Sequence, residues 1–161
     1  MGTFELSQGQ VAIVDDEDFD WVTQYEWHLK RGHNTFYAQR WVKIDGKWTR
    51  QKLHRFILGL TDPRIKIDHK DGNGLNNHRQ NLRIATKQQN QANQQKQQGT
   101  SSRFKGVTWD KNRGKWSAQV MVAGKNKYLG RFDSELKAAQ TYDQAAQKYF
   151  GNFAKLNAGA L

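Results

Sequence analysis

The 161-residue chain contains no cysteine, which excludes a disulfide framework and any zinc site ligated by Cys. It has no apolar run long enough to span a bilayer and no basic-then-apolar leader. The expected setting is therefore cytoplasmic, with no membrane partner. Basic side chains are missing from its beginning. Before His28 there are seven acids (Glu5, Asp15, Asp16, Glu17, Asp18, Asp20, Glu26) and no Lys or Arg. The formal net charge is nevertheless +11, with a pI near 10.0. The positive charge thus lies on the rest of the chain and favours a polyanion, phosphate being the commonest. The acidic end is expected to face away from a phosphate backbone that would repel it. Length alone suggests one domain, but the internal pattern suggests two small ones.

Residues 65–93 read IKIDHKDGNGLNNHRQNLRIATKQQNQAN. The short run Ile65-Lys66-Ile67 delivers Asp68-His69 into a loop built from Asp71-Gly72-Asn73-Gly74, residue types that close turns. A second run, Leu82-Arg83-Ile84, leads to Thr86-x-x-Gln89, which fits a capping box opening a helix. The local reading is strand, long loop, strand, helix, with Asn90 in the first turn of the helix. A carboxylate (Asp68) and an amide carbonyl (Asn90) suit a hard divalent cation, with water and phosphate completing its shell. The adjacent imidazole of His69 can take a proton from water near neutral pH. Asn81 is placed to hold that imidazole or its loop. Asn76 and Asn77 compete for that task, and Asn93 competes with Asn90.

With Leu75-Asn76-Asn77 and Asn81-Leu82-Arg83 included, this segment resembles the ββα-metal core of HNH endonucleases. It is closest to the homing-type branch, in which the last His is an Asn. The resemblance implies a metal-dependent hydrolase cutting phosphodiester bonds in duplex DNA. Asp68 and Asn90 would bind Mg²⁺ or another divalent ion such as Mn²⁺, and no zinc is expected. His69 would be the base and Asn81 its support. His78 and Arg83 are candidate DNA contacts.

Upstream, residues 3–14 alternate as a hairpin around Gly9. Asp15 to Asp18 precede Phe19, Trp21, Val22 and Tyr25, spaced as the apolar stripe of a short helix. Strands are expected at 27–29, 35–42 and 47–52, with Asp45-Gly46 as a two-residue turn. Trp21, Trp27, Trp41 and Trp48 are read as packing residues rather than nucleic-acid stacking residues. A short helix at 53–58 ends at Gly59. Its His54 and Arg55 either reach toward the loop or form a solvated face. Residues 88–98, rich in Gln and Asn, are read as the helix fraying into a linker at 96–102.

From Arg103 the pattern gives three strands (104–109, 115–122, 127–132) and a helix through Phe150, capped by Asp133-Ser134 and ended by Gly151. Trp116, Ala118 and Val120 share one sheet face, and Ser117, Gln119 and Met121 the other. Leu136, Ala139, Tyr142, Ala146 and Tyr149 are the expected buried stripe. Phe104-Lys105-Gly106-Val107, Gly114-Lys115-Trp116, Tyr128-Leu129-Gly130, Tyr142-Asp143 and Lys155-Leu156-Asn157 resemble the APETALA2-type DNA-binding domain. That resemblance implies a sheet lying in the major groove. Its readers would be Lys105, Thr108, Gln119, Met121 and Tyr128, with Arg113 and Lys115 near phosphates. Thr108 and Met121 replace arginines of the plant pattern, so the target sequence does not carry over.

The expected fold class is α+β. A β-rich lead-in (1–60) precedes a ββα-metal core (64–95), a linker follows at 96–102, and a three-stranded antiparallel sheet packed on one long helix fills 103–161. The expected partner is double-stranded DNA, and the expected oligomeric state is monomer or weak dimer. The competing readings are a non-catalytic DNA-binding regulator that keeps an HNH relic, and an RNA-binding protein.

Overall fold

The computed structural model describes residues 1–158, so the last three residues assigned to the second domain lie outside them. The fold is mixed α and β, with several small antiparallel sheets and a C-terminal helix. The chain divides into two units, residues 1–86 and residues from 87 onward. The helix carrying Asn90 falls in the second of these units. No helix among the described residues is long and apolar enough to cross a membrane.

In the first unit, β1 (Gly2–Glu5) and β2 (Val11–Val14) form the hairpin expected around Gly9. Helix α1 (Asp16–Val22) follows, with Asp16, Glu17 and Asp18 in its first turn, where the helix dipole favours negative charge. A meander of β3 (His28–Arg31), β4 (Phe36–Ile44) and β5 (Lys47–Lys52) pairs in the order β3-β4-β5. The turn at Asp45-Gly46 has φ of 49° and 77°, the left-handed pair that suits a tight hairpin. Helix α2 (Leu53–Ile57) and the antiparallel pair β6 (Lys66–His69) and β7 (Leu82–Ala85) complete the unit.

Val14, Val22, Trp27, Ala38, Leu53, Ile57, Ile67, Leu75 and Leu82 form the core. Leu53 is 1% exposed, so its truncation to Ala costs about 2–5 kcal/mol. Trp27 is buried and donates its indole N–H to Val22 O, and Trp21 lies on Phe56. Trp41 and Trp48 depart from the packing role expected of them, being 51% and 68% exposed. The reason is reach: Ala38 is the last buried position of β4, and the hairpin continues past the core.

The second unit begins with α3 (Lys87–Asn93) and continues through β8 (Val107–Asp110), β9 (Lys115–Val122) and β10 (Lys125–Phe132), ordered β10-β9-β8. Helix α4 (Glu135–Phe150) is capped by Ser134, whose side chain accepts from Lys137 N, and ends at Gly151. Its buried stripe is Ala138, Ala139, Tyr142 and Ala146. Leu136 and Tyr149, expected in that stripe, are 43% and 40% exposed. The alanines bring the helix axis close to the sheet and leave bulky side chains room only on its flanks. Gly106 makes the same approach possible from the sheet. Its φ is +74°, and a Cβ there would stand 2.0 Å from the Tyr142 ring. Asn157 locks the chain end: its side chain accepts from Lys105 N and donates to Lys105 O and Asp143.

Candidate functional site

The register of β6 and β7 sets the first part of the site. Asp68 faces Arg83 and His69 faces Leu82. Arg83 Nε and Nη2 lie 2.8 and 2.7 Å from Asp68 Oδ2, so the guanidinium grips the carboxylate from the neighbouring strand. Arg83, expected to contact DNA, is turned onto Asp68 instead. Both side chains are largely withdrawn from water, at 14% and 5% exposed.

His69 is buried. Its ring stands edge-on to His54, with centroids 5.0 Å apart, and 6.0 Å from Tyr37. Its Nε2 meets Asn77 Oδ1 at a long 3.4 Å. Burial holds the imidazole below its usual pKa of 6.5, against the opposing pull of Asn77, Asp71 and Asp68. Neutral at pH 7, it retains a lone pair for a proton. His54 is pushed down to about 2 by burial and by His69, Lys52 and Arg55. Of the two alternatives read for α2 the solvated face fails: His54 is inside, against His69, and Arg55 bonds the carbonyls of Ile65 and Asp62, closing the loop between α2 and β6. A five-residue helix is too short to display a periodic face, so its sequence left both alternatives open.

The loop between β6 and β7 is held by its own amides. Asp71 Oδ1 accepts from Asn73 N and from Asn81 Nδ2, while Asn76 Nδ2 donates to Asp71 Oδ2. Asn81 also donates to Asn76 O and accepts from Asp71 N. Asn81 therefore braces the loop, and the amide beside the imidazole is Asn77, one of the open alternatives. Asn77 is fully buried, because Ile13 O accepts from its backbone N and Ile13 N donates to Leu75 O. The edge of β2 thus fixes which asparagine meets His69. His78 is not exposed to phosphate as expected: its Nδ1 lies 2.6 Å from Asp15 Oδ1. Arg79 reaches the buried Asp18 and the Asp15 carboxylate. The acidic segment is the loop's anchor, a role that charge counting did not suggest.

Asn90 is half-buried and Asn93 buried on α3 of the second unit. In that unit the face of the sheet away from α4 carries half-buried Thr108 and Gln119 with exposed Met121 and Tyr128. Arg131, absent from the expected readers, shares that face: it pairs with Ser117 in register, and its guanidinium bonds Asp110 and the Tyr128 hydroxyl. Alternation inward from Phe132 would have found it. Arg113 and Lys115 are exposed, near Asp110 and Asp133 respectively. Lys105 differs from the reader expected. Its Nζ donates to Ala92 O and Gln94 O at 2.5 and 2.7 Å, and burial pushes it down to about 8. It ties the end of α3 to the sheet beside a groove of about 480 Å³ that Thr108, Gln119 and Met121 also line.

The donor chemistry in the first unit fits a hard cation that takes most of its shell from water and phosphate. It offers a carboxylate beside an imidazole, and among the described residues no three His, Cys, Asp or Glu side chains group to hold a metal by themselves. Zinc ligated by cysteine is impossible.

A sequence profile described as HNH endonuclease matches residues 52–92, and one described as AP2 domain matches 102–152. An uncharacterized HNH endonuclease of Acanthamoeba polyphaga mimivirus is 35% identical over 156 residues, covering 93% of this chain and 76% of that protein. An AP2-like ethylene-responsive transcription factor of Arabidopsis thaliana is 42% identical over 57 residues, 35% of this chain and 12% of that protein. Protein 3.8 of Escherichia phage T7 is 41% identical over 59 residues, 37% of this chain and 49% of that protein. No solved structure matches. Similarity over nearly the whole chain, together with the two profile matches, shows that this protein belongs to the HNH endonuclease family and carries an AP2 domain in its C-terminal part.

Proposed function

We propose that the protein is a metal-dependent DNA endonuclease of the homing type, with a ββα-metal site whose strands are β6 and β7 and a duplex grip in the C-terminal sheet. The observation that carries this reading is the pair Asp68-His69 at the end of β6, its carboxylate fixed by Arg83 and its imidazole neutral and enclosed. Asp68 and Asn90, with Asn93 the alternative to the latter, would hold Mg²⁺ or Mn²⁺. When bound, such an ion supplies positive charge to the scissile phosphate and the leaving 3′ oxygen. His69 takes the proton of the attacking water, leaving products with 5′-phosphate and 3′-hydroxyl ends, and Asn77 stands beside its ring. Asn81 keeps the loop, and hence the ring, in register.

Thr108, Gln119, Met121 and Tyr128 face the bases, Arg113 and Lys115 the phosphates. Tethering raises the concentration of duplex at the nuclease. One centre per chain cuts one strand at a time, so a monomer nicks and a weak dimer or a second visit breaks both strands. The setting is intracellular. His69→Ala retains duplex binding and lowers cleavage about 10²–10⁴-fold; undiminished nicking by that variant removes His69 as the base. The Arg83–Asp68 ion pair favours a second reading, a regulator that binds DNA without cutting it. Supercoiled plasmid left intact across divalent ions, with EDTA as control, would select that reading.

A further inference from the structure

The meander of the first unit has two faces of different fate. Leu29, Phe36 and Ala38 turn inward, and Arg40 covers Tyr25 and Phe56 on the same side. The opposite face collects the alternate positions. Lys30 pairs with Tyr37, Gln39 with Lys52, Trp41 with Arg50 and Lys43 with Trp48, and directly paired residues share a face. Basic and aromatic side chains therefore interleave. Arg50 Cζ lies 4.8 Å from the Trp41 ring centre, and Lys52 Nζ lies 4.3 Å from that of Tyr37. No Asp or Glu occurs in β3, β4 or β5. Acids flank this face: Asp45 lies in the turn, Glu26 is 3.9 Å from His28, and Asp68 lies close enough to Tyr37 to act on its hydroxyl.

This face is continuous with the candidate catalytic histidine, because Tyr37 touches both His54 and His69. From Lys52 to Trp48 the strand runs about 13 Å outward at ~3.3 Å per residue. The two indoles at its outer end are diagonal neighbours, more than half exposed. Flat rings between cations suit unpaired bases, whose π-faces are open. Bases inside a duplex have those faces covered by their neighbours, and Gln39 alone on this face offers an amide to read groove edges.

We propose that this face is a platform for single-stranded DNA leading away from His69. Bases stack on Trp41 and Trp48, and Lys30, Lys43, Arg50 and Lys52 pair with phosphates. Its purpose, to hold a strand splayed beside the cut, rests on the nuclease reading; its binding property does not.

The test uses the full chain in EDTA, with anisotropy of a labelled oligothymidylate of ten nucleotides and, separately, of a duplex. Trp41→Ala with Trp48→Ala is expected to weaken oligothymidylate binding about 10–100-fold while changing duplex affinity less than about threefold. Trp41→Phe with Trp48→Phe, which keeps a ring at each position, recovers most of the loss and guards against a folding defect. Lys43→Gln and Arg50→Gln each flatten the salt dependence of single-strand binding by about 0.7. Unchanged oligothymidylate binding in the double Ala variant overturns the proposal. So does an equal loss of single-strand and duplex affinity, or tighter binding of oligouridylate. Failure of the nuclease reading is read elsewhere: wild-type protein that cuts no plasmid, yet binds oligothymidylate through its tryptophans, removes the activity and keeps the platform.

Discussion

The molecule builds a three-stranded antiparallel meander twice, and the two differ in what backs them and what they show. The sheet β3-β4-β5 is backed by a mixed aromatic and aliphatic core, the sheet β8-β9-β10 by an alanine stripe on α4. Each has a two-residue turn of left-handed residues, Asp45-Gly46 in one and Ala123-Gly124 in the other. The outer face of the first is mostly Trp, Lys and Arg, with His28, Tyr37 and Gln39; that of the second is mostly Thr, Ser, Gln, Asn, Met and Tyr, with Arg131 and the pair Asp110 and Lys115. Stacking and point charges are tolerant of sequence, whereas amides and hydroxyls match the donor and acceptor code of a groove. One scaffold therefore carries two kinds of DNA chemistry, according to which residues occupy the alternate positions.

The sharpest way to break the pair is at its tightest contact. Gly106→Val drives a side chain into the Tyr142 ring and the Gln119 carbonyl at a positive φ. It should destabilise the second unit by about 3–5 kcal/mol, combining overpacking with left-handed strain. Calorimetry should then show the second unit's transition lost or far lower and the first unit's retained, and duplex binding should fall with it. Survival of both transitions would mean that α4 does not need its close approach.

Acid separates the units next, because all five histidines lie in the first. Buried His54 has a folded pKa of about 2 against 6.5 unfolded, so the unfolded state takes up the proton first. The stability this neutral ring contributes is complete above pH 6.5 and is lost as pH falls, by about 1.4 kcal/mol per pH unit. Lys105, at about 8 against 10.5, gives the second unit the opposite window. Its stability rises between pH 8 and 10, as the buried ammonium loses its charge. Melting curves at pH 7 and 5 should show the first unit losing ground to the second, and His54→Phe should flatten that difference.

These units were not equally legible in the sequence. The strands of the second follow local alternation, as in Trp116, Ala118 and Val120, and its turns and caps are punctuated by Gly114, Ser134 and Gly151; such signals need no tertiary information. The stripe on α4 was misread where large apolar residues were preferred over Ala138, since close packing rewards small volume. In the site, Asp68-His69 was visible as an adjacent pair at a strand end. Which of the candidate asparagines meets the ring was not, because the choice depends on β2 pairing with the loop about 60 residues later. Arg83 facing Asp68 follows from a hairpin register that a twelve-residue loop leaves open. The exposure of Trp41 and Trp48 follows from where the core ends, which composition does not disclose.

The smallest effects distinguish reading from holding within the second sheet. Gln119 sits mid-face, paired with Tyr128, where an amide can bond a base edge. Gln119→Ala should cost about 1–3 kcal/mol of discrimination at one base position and little on random duplex. Arg113, at the turn between β8 and β9 and 61% exposed, lies 3.7 Å from Asp110 and makes no closer ion pair among the described residues. Arg113→Gln should weaken binding about equally on all sequences and reduce the salt slope by about 0.9, the signature of one lost phosphate contact on duplex DNA. Binding of a randomised duplex library at several salt concentrations measures both. If Gln119→Ala also weakened every sequence alike, the second face would be a holding surface like the first, and the contrast between the two sheets would collapse into one of strength alone.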